Sequence, residues 1–405
     1  MYRQEQLSEI IDIQTKSFVG KNTGIERIAL RFIPEVENYA TIVTGIRRCG
    51  KSTLLLQLLK RKFQDAIYFN WEDIRLAGFV ADDFVRLHSE IVKRNIKVLF
   101  FDEIQLITNW EMFIHQLLRE EYKVYISGSN ASLLSVELGT HLTGRQISTE
   151  LFPFSFTEYC LLKQCEPDEI AVEKCMKEGG IPDFLKSSEP MVLFNLLDDI
   201  LIRDIAIRYA IRDVETLKKL TVYLLSNISC LVSANKLTET VGLKASSTIL
   251  EYFSYLKNAY LVDFIPQFSY SLKVQMRNPK KVYAIDLGIV EVVASSFTQN
   301  NGRKLENLVF LHLRTAYKEI FYFKDKGECD FVVRKNTTVI KVIQVCYHID
   351  DENFEREYNG LFAAMTYFDL KEGIIVTLNQ TDSFEREGST IKLVPAHEFL
   401  KVELR

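Results

Sequence analysis

The strongest constraint in this chain is one octapeptide together with its flanks. Gly45-Ile46-Arg47-Arg48-Cys49-Gly50-Lys51-Ser52 fits the pattern G-x-x-x-x-G-K-[ST]. The β-prone run Thr41-Ile42-Val43-Thr44 precedes it, and Thr53-Leu54-Leu55-Leu56-Gln57-Leu58-Leu59 follows as a helix. Strand, glycine loop and helix are the context the pattern needs. Its glycines let backbone N–H groups wrap phosphate oxygens, and the helix N-terminus adds positive potential. The expected cradle is Gly45, Ile46, Arg47, Arg48, Cys49, Gly50, Lys51, Ser52 and Thr53. Lys51 is expected to reach the β- and γ-phosphates of a nucleotide, and the Ser52 hydroxyl to ligate Mg²⁺.

Val98-Leu99-Phe100-Phe101-Asp102-Glu103 supplies the acidic partner. An apolar strand that ends in carboxylates delivers them to the ligand crevice of an open α/β sheet. Asp102 is therefore the expected second metal group, acting through water. Glu103 is the better candidate to orient or deprotonate an attacking water, because a metal-bound carboxylate is a poor base.

Other strands are expected at Thr41–Thr44, Ala66–Asn70 and Val124–Ser127, so the first 150 or so residues read as a parallel sheet covered by helices. Beyond Phe154 helical spacing takes over. Ser233, a glycine turn at Gly242 and Ser246 or Ser247 mark two short helices, and a β-prone Tyr260–Phe264 follows them. That order is the pattern of a winged helix-turn-helix. The last hundred residues mix a helix over Lys304–Tyr317 with strands at Ile320–Phe323, Cys329–Arg334 and Val339–Cys346.

Composition narrows the classes further. The 405 residues suggest two or three domains, and 50 basic against 54 acidic residues exclude a wholesale polycation. Only 17 glycines and 8 prolines disfavour linker-rich and short-stranded all-β folds. There is no apolar run of about 18 residues, as a membrane helix would require, and the polar N-terminus lacks a signal-peptide core. A cytoplasmic protein with seven reduced, mostly buried cysteines is expected. The six histidines are scattered and suggest neither a triad nor a metal cluster.

The phosphate loop, Asn109-Trp110-Glu111, Ser127-Gly128-Ser129-Asn130, Leu142-Thr143-Gly144-Arg145 and Phe152-Pro153-Phe154-Ser155-Phe156-Thr157-Glu158-Tyr159 together resemble the prokaryotic AAA-type ATPases that carry a C-terminal domain of unknown function. Gly179-Gly180-Ile181-Pro182, Ser226-Asn227-Ile228 and Lys281-Val282-Tyr283-Ala284-Ile285-Asp286 extend the likeness over nearly the whole chain. The resemblance implies ATP as the nucleotide and Ser129 or Asn130 at the sensor position. It also implies that Arg145 contacts a γ-phosphate, within the subunit or in a neighbour of an oligomer. A second, arginine-bearing sensor is not evident near Gly179 to Lys186.

From Ser271 to Lys341 thirteen basic residues face seven acidic ones, a net of +6 in a chain of net −4. Lys273, Arg277, Lys280 and Lys281 lie on or after the expected wing, where DNA phosphate or a protein partner could be held. The final domain resembles a restriction-endonuclease-like core, with Glu306 on a helix and Asp330 on a strand. Gln344 and Cys346 stand where active enzymes carry a carboxylate and a lysine, which removes one charged metal ligand and the cation. A degenerate nuclease fold retained for binding is therefore expected.

The full expectation is an α/β P-loop NTPase with an AAA-type parallel sheet over 1–155, a helical lid over 156–215, a winged helix-turn-helix over 216–285 and a restriction-endonuclease-like α/β domain over 286–405. Its function is expected to be Mg²⁺-dependent ATP hydrolysis coupled to a DNA- or protein-binding module. The competing expectation is a nucleotide-gated binding protein with negligible turnover, and an ATP-dependent nuclease is a minor third.

Overall fold

The computed structural model describes residues 2–129, 144–243, 245–293 and 300–404. Asn130, Leu142 and Thr143 from the motifs above lie outside these residues. The chain divides into two compact units, Met1–Phe152 and Pro153–Arg405.

The first unit is built on strands β1 (Ala40–Thr44), β2 (Ile67–Asn70), β3 (Val98–Asp102), β4 (Lys123–Gly128) and β5 (Gln146–Glu150). All neighbouring pairs are parallel, in the order β2-β3-β4-β1-β5. Parallel strands need covered faces. Helices α1 (Gln4–Gly20), α3 (Asp83–Arg94) and α4 (Trp110–Arg119) supply Leu7, Ile10, Leu87, Ile91, Ile114 and Leu117 to a core shared with Ile42, Phe69, Phe101 and Ile126. The four strands read from apolar runs are all present, each within a residue or so of its expected limits. β5 was not expected, because Gln146-Ile147-Ser148-Thr149-Glu150 has little apolar content and is a sheet edge.

The other edge, β2, is closed by side chains of α1, a helix not anticipated from the sequence. Thr15 Oγ1 accepts from Tyr68 N (3.1 Å) and donates to Tyr68 O (3.3 Å). Gln14 does the same for Asn70, accepting at 2.9 Å and donating at 3.1 Å. Two short polar side chains thus stand in for a neighbouring strand, which blunts an edge open to intermolecular pairing.

The second unit opens with helix Phe156–Lys163, where Ser155 and Glu158 form a reciprocal capping box. Helices continue to Ser226, including a π-helical stretch over Ile200–Ile207. Gly179-Gly180 and Asp286 meet here: Asp286 accepts from Gly180 N (2.6 Å) and Ile289 N (3.1 Å). A Cβ on Gly179, whose φ is +70°, would lie 2.4 Å from Gly288 N, so glycine is required.

Helices Ala234–Val241 and Ser246–Asn258, joined through Gly242 at φ +74°, accompany a three-stranded antiparallel sheet. Its strands are β6 (Leu231–Val232), β7 (Val262–Ile265) and β8 (Lys280–Ala284), in the order β6-β8-β7. The capping expectation needs correction. Ser233 makes no side-chain cap bond, and the second helix is entered through Ala245 with Ser246 already in its first turn.

A six-stranded mixed sheet follows. Its strands are β9 (Glu319–Lys324), β10 (Glu328–Lys335), β11 (Thr338–Val345), β12 (Glu372–Thr377), β13 (Asp382–Arg386) and β14 (Ser389–Pro395), ordered β13-β14-β12-β11-β10-β9. Helix Phe354–Phe368 buries Leu361, Ala364 and Met365 against Val332, Val342 and Ile375 of that sheet. The last three strands were not anticipated. The same unit includes helix Asn301–Ala316, which carries Glu306.

Candidate functional site

Between β1 and helix α2 (Lys51–Lys62) the chain turns through two glycines in conformations closed to other residues. Gly45 has φ +153°, and a Cβ there would lie 2.1 Å from Leu151 O; Gly50 has φ +97°. Lys51 is buried and donates to the carbonyls of Gly45 and Ile46, both at 3.1 Å. Its ammonium therefore rests inside the loop on neutral acceptors. Ser52 and Thr53 form the first turn of α2 behind it. Arg47 pairs with Glu72 at 3.3 Å, and Arg48 holds φ +63°. Burial pushes the Cys49 thiol up, which keeps it protonated and unreactive.

Sequence reasoning missed Arg27. It is buried and donates Nη1 to Cys49 O (2.6 Å) and Nη2 to Phe152 O (2.7 Å), tying the loop to the residues that follow β5. An isolated arginine before a 3-10 turn carries no local signal of that task.

Sheet register sets where the acids fall. Thr44 is level with Gly128 on β4, and Asp102 is level with Ser127 on the same strand. The carboxylates thus emerge at the edge where the glycine loop begins. Asp102 is buried, accepts from Tyr68 OH at 2.6 Å, and takes a second hydroxyl from Ser127. Glu103 adopts φ +54°, a left-handed conformation uncommon for a branched-free acid of this size. Its carboxyl is pushed up to about 6 by burial, with the Lys51 ammonium pulling it down and the Asp102 charge pushing it up. Gln105 donates to Glu103, and Ser129 Oγ lies 3.5 Å from it. Lys51, Asp102, Glu103 and Ser129 are therefore assembled at one end of the sheet. Arg145 is exposed, and its carbonyl accepts from Ala40 N at 3.1 Å.

The donor set suits Mg²⁺. A hydroxyl at a helix N-terminus and a hydrogen-bonded carboxylate are hard oxygen ligands, and small divalent cations with retained waters prefer them.

A second cluster lies in the other unit. Lys281 on β8 is buried and donates to Glu306 Oε1 (3.1 Å) and Asp330 Oδ1 (2.7 Å). Tyr283 OH also donates to Glu306 Oε1 (2.6 Å), and Val345 N to Asp330 Oδ2 (2.9 Å). Burial and the nearby Asp330 push the Glu306 carboxyl up, and the two acids hold Lys281 protonated. Two expectations are corrected by this arrangement. Lys281 is not a wing residue available to phosphate, because the β8 pleat turns it inward. A cation also stands beside Glu306 and Asp330 although Cys346, just after β11, occupies the position where the resemblance leads one to expect a lysine; it comes from a strand 49 residues earlier than Asp330.

Gln344 accepts from Asp330 N at 3.1 Å and donates to Glu357 at 2.5 Å, whereas the Cys346 thiol turns to His348 O at 3.2 Å. Asp330, Gln344 and Glu357 line an open cavity of about 660 Å³ with Lys326 and Arg356.

Residues 37–160 match the family model described as AAA domain, and residues 171–300 match one described as Domain of unknown function (DUF8612). "Uncharacterized protein MJ1544" of Methanocaldococcus jannaschii is 34% identical over 398 residues, covering 92% of this chain and 88% of its own length. An "Uncharacterized protein" of Haemophilus influenzae is 30% identical over 343 residues, covering 79% of this chain and 85% of its own. Among solved structures, the Thermotoga maritima RuvB Holliday junction branch migration motor aligns with 65% of this chain and 90% of its own at 16% identity and a TM-score of 0.30.

Proposed function

We propose, given that this chain belongs to one family with MJ1544 of M. jannaschii and carries an AAA domain, that it is a Mg²⁺-dependent ATP hydrolase whose nucleotide state governs a DNA- or protein-binding function of its second unit. One observation carries the reading. The Lys51 ammonium rests on the Gly45 and Ile46 carbonyls at the sheet edge where Asp102 and Glu103 emerge. In phosphoryl transfer positioning and electrostatics supply most of the rate. Lys51 exchanges two carbonyls for phosphate oxygens, and Ser52 with Asp102 would hold the metal, which neutralises charge on the phosphates when bound. Glu103 takes the proton of the attacking water. A carboxyl raised to about 6 is a stronger base than an ordinary glutamate and is still ionised at neutral pH. Ser129 orients Glu103, and Arg145, being exposed, is available to a phosphate in a neighbouring subunit.

For the second unit, the exposed Lys273 and Arg277 on helix Leu272–Arg277, with the half-buried Lys280 after them, support a phosphate-contacting surface. The Lys281 triad supports the degenerate reading of Glu306, Asp330, Gln344 and Cys346, since both acids already spend charge on an internal ammonium.

Calorimetry with a non-hydrolysable ATP analogue, paired with a phosphate-release assay, tests the reading. Lys51→Ala abolishes binding, whereas Glu103→Gln binds and does not turn over. Unchanged binding in Lys51→Ala would refute it.

A further inference from the structure

We infer that Tyr68, clamped by Phe18 of the N-terminal helix, is a positioning residue for the Mg²⁺ centre, so that α1 sets the affinity of the loaded site for its metal. The inference rests on the nucleotide reading above.

Asp102 is buried and has no freedom to find alternative partners. One of its oxygens takes the Ser127 hydroxyl from the adjacent strand, and the other takes Tyr68 OH at 2.6 Å. Together they fix the carboxylate plane. A carboxylate that must meet a metal-bound water at a set angle depends on such outer partners, and losing one typically costs 10- to 100-fold in metal affinity.

Tyr68 does not hold that pose alone. Its ring lies flat on Phe18, with centroids 3.7 Å apart and planes 5° from parallel. Phe18 is fully buried in the last turn of α1. One turn earlier, Thr15 brackets the Tyr68 backbone on both its N–H and its carbonyl. Backbone and ring of the same tyrosine are therefore gripped by one helix, and the hydroxyl at the far end of that ring carries the grip to Asp102. Here an edge-capping helix and the metal-side acid share one side chain.

The test is Tyr68→Phe, which keeps the ring and its stacking and removes only the hydroxyl. Binding of the ATP analogue in EDTA, read by calorimetry, is expected to match the unsubstituted protein. Mn²⁺ affinity of the analogue-bound protein, read by electron paramagnetic resonance, is expected to fall about tenfold. The Mg²⁺ concentration for half-maximal hydrolysis should rise by the same factor. Phe18→Leu, which keeps apolar burial but loses the stacked ring, should move both metal readouts in the same direction by a smaller factor. Equal Mn²⁺ affinity in Tyr68→Phe and the unsubstituted protein overturns the inference while leaving the nucleotide reading intact. If the unsubstituted protein binds no analogue, with or without metal, both fall together.

Discussion

Two buried lysines, one in each unit, show how resting partners decide what a cation can do. Lys51 lies on two backbone carbonyls, neutral acceptors that an arriving phosphate outcompetes. Lys281 lies between two acids that hold its ammonium at 3.1 and 2.7 Å. Acids are near both. At the first site, however, Tyr68 and Ser127 hold Asp102. At the second, Tyr283 OH and Val345 N also hold the acids, but the lysine bridges both of them. The difference teaches that a buried lysine is free to take a ligand only when its resting partners are neutral.

The contrast can be broken in order of expected effect. Glu103→Gln is expected to slow hydrolysis by about 10² to 10⁴, the usual range for a positioned base, without loss of nucleotide binding; a phosphate-release assay showing less than a tenfold loss would remove Glu103 from that role. Lys281→Met should cost about 3–5 kcal/mol in a denaturant titration, because it leaves two buried carboxylates facing each other without their cation. The same variant should bind the ATP analogue normally, and loss of nucleotide affinity with full stability would erase the distinction between the two lysines.

Acid should weaken the first site through Glu103. Its carboxyl ionises at about 6 rather than in the ordinary range, so kcat/KM should fall about tenfold per pH unit below 6 and stay level above it. A profile level down to pH 5 would show that Glu103 accepts no proton in the rate-limiting step. The smallest effects belong to the exposed basic residues of helix Leu272–Arg277. Each of Lys273→Ala and Arg277→Ala should lower the salt dependence of DNA binding by about one unit of slope if phosphate is the ligand. Binding that is flat across salt would turn the surface toward a protein partner. Incubation of DNA with Mn²⁺ is expected to leave it uncut, and cleavage abolished by Asp330→Ala would restore the nuclease reading.

Legibility in the sequence followed the range of the interactions. The glycine loop, its strand and helix, and Val98–Asp102 are local patterns, in which a few consecutive residues state both conformation and chemistry. β5, β13 and β14 carried weaker patterns, being polar, alternating or at an edge, and their pairing is decided by distant neighbours, whereas the apolar run of β12 was simply missed. Arg27 and Tyr68 gave no signal because each is defined by partners 125 and 34 residues away. Lys281 was misassigned for a related reason: in Asn278-Pro279-Lys280-Lys281 nothing local says which lysine the pleat turns inward.

By itself the sequence determined that a glycine loop follows an apolar strand and that another apolar strand ends in two acids, because backbone freedom at glycine and burial of β-prone side chains act over a few residues. Tertiary structure alone decided which hydroxyls hold Asp102, which helix closes the sheet edge, and which lysine the second pair of acids captures. Those outcomes depend on strand order and register, which bring side chains from remote segments within hydrogen-bonding distance only once the chain has folded.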